Sequence, residues 1–160
     1  MAFLLLFLVP AGLVATLWLA GYGFGSLGRY GLRHAGREVW LRSVAALLGA
    51  VAAAMYTWGL LHVTWAVMEA EDGGTNSAPI RPCRTAGWQD RTTASMISDY
   101  TVSFLPLRFI CRTNDGGRHA TDTVPGHVNP SVLTFAMGAA VCVGVAALGS
   151  ERRIRKNAAD

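Results

Sequence analysis

Three apolar stretches, Met1–Tyr22, Ser43–Met68 and Ser131–Gly149, contain no Asp, Glu, Lys or Arg, and every charged residue lies between or after them. About 20 apolar residues in a helix cross the hydrocarbon core of a bilayer. The chain therefore reads as a membrane all-α bundle of three transmembrane helices. The longest polar segment, Glu69–Pro130, has 62 of the 160 residues. That rules out a large soluble catalytic domain and leaves a small one, hard to stabilise by its own core.

Charge orients the spans. The loop Gly23–Arg42 carries Arg29, Arg33, Arg37 and Arg42 against Glu38, and the tail Ser150–Asp160 carries Arg152, Arg153, Arg155 and Lys156 against Glu151 and Asp160. The long segment Glu69–Pro130 is slightly acidic, with six Arg and seven acids. Positive charge in short loops marks the cytoplasmic face, whereas long loops are translocated largely regardless of charge. The expected topology places the N-terminus and Glu69–Pro130 outside the cell membrane, and the basic loop and basic tail in the cytoplasm. The rival reading is a cleaved signal peptide at the start. It lacks a basic n-region, because no basic residue precedes Arg29.

The spans share a stripe of small residues: Gly12, Thr16 and Ala20; Ala45, Gly49 and Ala53; Ala136, Ala140 and Gly144. Small side chains four apart let helix backbones approach where lipid offers no hydrophobic drive. Gly12, Gly49, Ala53, Ala140 and Gly144 are the expected helix-packing positions, in a bundle or a homo-oligomer. Residues Gly23-Phe24-Gly25-Ser26-Leu27-Gly28 fit G-x-G-x-x-G literally. That motif needs a strand before it, and here a span precedes it, so its glycines read as a flexible exit from the bilayer. Arg29, Arg33 and Arg37 would stack on one helical face, where like charges four apart repel. Lipid headgroups are the simplest offset, with Trp40 at the interface; plain positive-inside topology with no specific lipid is the simpler alternative.

His62 is the intramembrane polar candidate. It lies with Trp58, Trp65 and Glu69 on one helical face of the second span. Ionisable groups inside a membrane are costly and face a partner or a cavity. Three roles stay open: a structural hydrogen bond, a proton relay or quinone contact, and an axial haem ligand, for which Met137 is the one conceivable mate. No cofactor is otherwise expected.

In the outer segment, Glu69–Ser77 reads as a linker, and Thr92–Ser98 could form one or two helical turns but is too short to place. Leu105, Leu107, Phe109, Cys111 and Thr113 alternate with Pro106, Arg108, Ile110 and Arg112, the period-two pattern of a half-buried strand. Asn114-Asp115-Gly116-Gly117 is a turn signal, and Arg118–Val124 can return as a second strand. The expectation is a β-hairpin, with Pro106 favouring an edge. Cys83 and Cys111 both lie outside, where disulfides form. Joining them would tie the Pro-rich segment onto the apolar face of the hairpin. Cys142, in the third span, reads as a packing residue. The full expectation is thus three transmembrane helices with a small disulfide-tied extracytoplasmic β-hairpin domain.

Thirteen of the fourteen basic residues are Arg, and Ala and Gly abound, which points to a high-GC genome. The run Phe104-Leu105-Pro106-Leu107-Arg108-Phe109-Ile110-Cys111, then Asp115-Gly116-Gly117, then Val124-Pro125-Gly126-His127-Val128-Asn129-Pro130 resembles small integral membrane proteins of actinobacteria. That resemblance, over about a sixth of the chain, implies the compartment and no activity.

The chain shows no nucleophile elbow, H-E-x-x-H, P-loop or acidic metal cluster. The basic tail directly follows a span and reads as a stop-transfer anchor rather than a nucleic-acid patch. The favoured reading is a non-enzymatic accessory or interaction subunit in the bilayer. It would pack with itself or with a membrane-protein partner and expose Arg108 and Arg112 on the hairpin. The alternatives are a redox or proton-handling component built on His62, and an envelope sensor or immunity-type protein.

Overall fold

The computed structural model describes residues 2–30, 36–71, 81–83, 97–113 and 116–157. They form three long helices, α1 (Ala2–Tyr30), α2 (Arg37–Glu71) and α3 (Val128–Asn157), and three strands, β1 (Ile97–Phe104), β2 (Leu107–Thr113) and β3 (Arg118–Ala120). A short 3-10 turn spans Arg81–Cys83. All three helices are long and apolar enough to cross a membrane. Each exceeds its charge-free stretch. α1 runs through Gly21, Gly23, Gly25 and Gly28 instead of loosening there, and α2 continues through Glu69 to Glu71, where a linker was expected.

The continuation of α1 has a local cause. A Cβ at Gly23 would come within 2.8 Å of the Leu47 side chain and 3.2 Å of the Ser43 carbonyl oxygen. Glycine costs a helix about 1 kcal/mol relative to alanine, and here it admits α2 to close contact. The helix also passes Pro10 unbroken. Hydroxyls within the helices turn back on the preceding turn: Thr16 Oγ1 donates to Gly12 O, Ser43 Oγ to Val39 O, Thr64 Oγ1 to Leu60 O and Thr134 Oγ1 to Pro130 O, each at 2.8 Å. Such back-bonding hides hydroxyls from apolar surroundings.

The chain divides into two compact units, Met1–Val9 with Thr57–Asn129, and Pro10–Tyr56 with Pro130–Asp160. The first is built on the three-stranded antiparallel sheet, in the order β1-β2-β3. Leu107, Phe109 and Cys111 of β2 are buried while Arg108 and Arg112 are exposed, the alternation legible in the sequence. The sheet differs from the expected hairpin in two ways. β1 adds a strand, so β2 is central, and Pro106 sits with Leu105 in the β1–β2 turn rather than in an edge strand. A proline inside a central strand would have lost a ladder hydrogen bond; a turn spares it. At the other end of β2, Gly116 takes φ 80° and its N–H donates to Thr113 O at 3.0 Å.

The buried face of the sheet meets the last turns of α2. Leu60, Val63, Ala66 and Val67 are buried together with Val102, Val124 and Val128. Gly59 marks the closest approach: a Cβ there would lie 2.6 Å from Leu107 Cδ2 and 3.0 Å from Val128 Cγ1. In the second unit, Ser43, Ala45, Ala46, Ala50 and Ala52 of α2 are buried. Ser26 and Ser43 share a 2.6 Å hydrogen bond between α1 and α2.

Candidate functional site

The sheet module is held by three independent ties. Cys83 and Cys111 are joined in a disulfide, with Cα atoms 6.1 Å apart and both residues 2% exposed. The bond anchors the Arg81–Cys83 turn on the apolar face of β2, as the Cys positions lead one to expect. Asn129, at the start of α3, accepts from the Leu107 N–H at 3.0 Å and donates to Leu107 O at 3.1 Å. It acts as a one-residue strand beside β2. The third tie joins β1 to α2, where the Tyr100 hydroxyl donates to Glu71 Oε1 at 2.9 Å. Desolvation, that hydrogen bond and the nearby Glu71 and Asp99 charges push the Tyr100 phenol up to about 12. Its ring stacks on Phe109 with centroids 5.2 Å apart.

So fixed, the sheet presents a basic outer face. In antiparallel register Arg112 lies opposite Arg118 on one side and Asp99 on the other, and Arg108 lies opposite Ser103. Arg108, Arg112 and Arg118 are all exposed, and none forms an ion pair among the described residues. Like charges directly opposite across a strand pair destabilise it. The cluster is therefore a feature the fold bears rather than one it needs. Sequence reading singled out Arg108 and Arg112; Arg118 joins them only through the β2–β3 register.

His62 sits half-buried in α2. Its ring lies 5.2 Å from that of Trp58, edge to face. Trp58 and Trp65 are 54% and 68% exposed, so this face of α2 points outward rather than into the sheet core. Among the described residues no group of three His, Cys, Asp or Glu is arranged to hold a metal.

The basic ends of the helices gather in the second unit. Arg29 is exposed in the last turn of α1, and Arg37 is exposed at the start of α2 with Trp40. Arg33 lies outside the described residues, as do His34, Pro79 and the Thr92–Met96 stretch. Arg42, one turn beyond Glu38, binds its carboxylate at 2.7 Å. Of the expected helix-packing positions, Gly49 approaches α1, its Cβ position lying 3.4 Å from Leu19, and Gly12 O receives the Thr16 hydroxyl. Ala53 is half-buried. Ala140 and Gly144 are exposed, and nothing stands within 4 Å of a Cβ at Gly144. Gly23 and Gly138 are further close approaches to α2 that the four-residue spacing does not pick out, a Cβ at Gly138 lying 3.3 Å from Leu48.

No protein-family model, curated protein or solved structure matches the chain.

Proposed function

We propose that this chain is a three-pass protein of the cell membrane, N-terminus outside and C-terminus in the cytoplasm. In this reading it serves as a non-enzymatic accessory or interaction subunit whose disulfide-tied sheet docks an acidic partner surface outside the cell. The observation that carries the proposal is the basic sheet face. Arg108, Arg112 and Arg118 are exposed and form no ion pair among the described residues, on a module stapled by Cys83–Cys111.

Apolar exposure supports the membrane part. Only 6% of the most apolar window of α1, and 6% of that of α3, is buried inside the molecule. Phe3, Phe7, Leu17, Trp18, Leu133 and Met137 are each more than half exposed. Such faces require lipid or another apolar surface. α2 supports the placement of the sheet: its 35 residues span about 52 Å, against a hydrocarbon core of about 30 Å. That surplus is long enough for the turns that meet the sheet to stand outside the apolar layer.

The test is affinity purification of the full chain from native membranes in mild detergent, followed by native mass spectrometry and an absorption spectrum. A partner present with the wild type and absent with an Arg108/Arg112/Arg118→Glu variant, the disulfide still formed, is the expected result. The same partner retained by that variant would sink the docking role. A Soret band lost on His62→Ala would instead make the chain a redox component.

A further inference from the structure

The second unit holds two hollows of different chemistry whose linings share Tyr22 and Arg42, and together they form a groove with two halves. One half, of about 340 Å³, is lined by Tyr22, Ser26 and Arg29 of α1 and by Val39 and Arg42 of α2. The other, of about 530 Å³, shares Tyr22 and Arg42 with the first and is otherwise apolar. Ala46 and Gly49 of α2 line its floor, Trp18 and Leu19 of α1 line one wall, and Ala140 and Val143 of α3 line the other. Small residues make the groove: with alanine and glycine on two helices, a slot stays open between α1 and α3.

Polarity changes along the slot in one direction. On α2 it runs from Arg42 to Gly49, about 10 Å at the helical rise. On α1 it runs from Tyr22 to Trp18, and on α3 from Ala147 to Ala139, so every helix leads from the basic end toward its own middle. A groove of that depth fits within one leaflet of a hydrocarbon core about 30 Å thick.

From this geometry we infer a binding site for one anionic phospholipid, its phosphate held by Arg29 and Arg42 and an acyl chain laid between Trp18 and Ala140. The inference rests on the membrane reading above. Charge favours a lipid over a helix from a second copy. A second copy's apolar helix would fill the slot but bring no anion to Arg29 or to the remaining donors of Arg42. Arg29 forms no ion pair among the described residues. Arg42 gives Glu38 one nitrogen, and a guanidinium carries five N–H donors. Basic pockets between helices on the cytoplasmic side are where acidic headgroups bind. Ser26 adds a hydroxyl at the same end, already shared with Ser43. The site gives Arg42, which the positive-inside pattern counted only as one more charge, a place in the lining of both hollows.

The test uses the purified full chain in mild detergent, titrated with equal phosphatidylglycerol and phosphatidylcholine and read by native mass spectrometry; flotation with neutral phosphatidylcholine vesicles runs in parallel. The wild type is expected to keep one phosphatidylglycerol preferentially. Arg29→Gln and Arg42→Gln should each weaken that preference roughly fivefold. Ala140→Leu, on an exposed wall, should expel the lipid with both arginines intact, and Asp122→Asn, exposed after β3, should leave binding unchanged. Equal retention of the two lipids by the wild type, or a preference that survives both arginine changes, would overturn the site. So would a lipid-free dimer that Ala140→Leu dissociates, since a second copy would then own the groove. Failure to float with neutral vesicles is a different result, and it counts against the membrane reading itself.

Discussion

Gly59 and Asn129 show how much of the sheet module depends on single side chains, or on the lack of one. A methyl group at Gly59 would intrude on Leu107, which is fully buried, and on Val128. Overpacking of this kind costs about 1–3 kcal/mol. Gly59→Ala is therefore expected to lower the thermal midpoint of the purified protein, whereas Gly144→Ala, which meets open space, should not. Asn129→Leu would leave the Leu107 N–H and C=O without their partners, at about 1–3 kcal/mol per buried group. Tyr100 makes a prediction in pH. Its folded phenol titrates near 12 against 10.0 for a free one, so the protonated form favours the fold. That contribution is complete below pH 10.0 and disappears as pH climbs toward 12. Spectrophotometric titration of the wild type against Tyr100→Phe should show the loss of one late-ionising phenol; identical curves for the two above pH 10.0 would contradict the Glu71 contact.

Among the elements, β2 is the hub. It pairs on both sides, carries Cys111, receives Asn129 and places Arg108 and Arg112 outward. Its disulfide closes a loop with a sequence separation of 28, worth roughly 3–4 kcal/mol on the loop-entropy model. Cys83→Ser is expected to lower stability by about that much, and reduction of the wild type should do the same. Equal thermal midpoints with and without reductant would mean that the bond contributes nothing. β1 shows what a sequence signal can hold unread. Tyr100, Val102 and Phe104 alternate with Asp99, Thr101 and Ser103, the same period-two pattern that marks β2. The neighbouring Leu105-Pro106 interrupts the pattern, so the sequence reading starts its strand at Leu105, in the turn, and assigns no element to Asp99–Phe104. Gly23 illustrates the reverse. Glycines spaced like a loop motif became helix, because contact with Ser43 and Leu47 outweighed their propensity.

For the whole molecule, the distinction between faces that meet their own chain and faces that do not governs what can be tested. Gly49 approaches Leu19 within the unit, whereas Gly144 opens outward. If the helices assemble with further copies or a partner, Gly144→Leu should alter migration on a native gel with the thermal midpoint unchanged. Gly49→Leu should disturb both. Identical migration of wild type and Gly144→Leu would remove that face from any assembly. Cysteine accessibility at engineered sites in β3 and in the tail would check the proposed orientation, with β3 labelled from outside intact cells and the tail protected.

Composition and pattern by themselves determined the three long apolar helices, the pairing of Cys83 with Cys111 and the alternation of β2. Each is a local property: a run of residues without charge, two thiols with a need for a staple, or a period of two. Tertiary structure alone decided that Arg118 joins Arg112, that Asn129 closes on Leu107, that Gly59 and Gly23 are contact points, and that Arg29 and Arg42 head one groove. These depend on register and on helix rotation about its axis. A shift of one residue in a strand reverses its faces, and a small rotation of a helix exchanges one stripe of alanines for another. Here so many residues are small and apolar that no pattern along the chain singles out which stripe is covered.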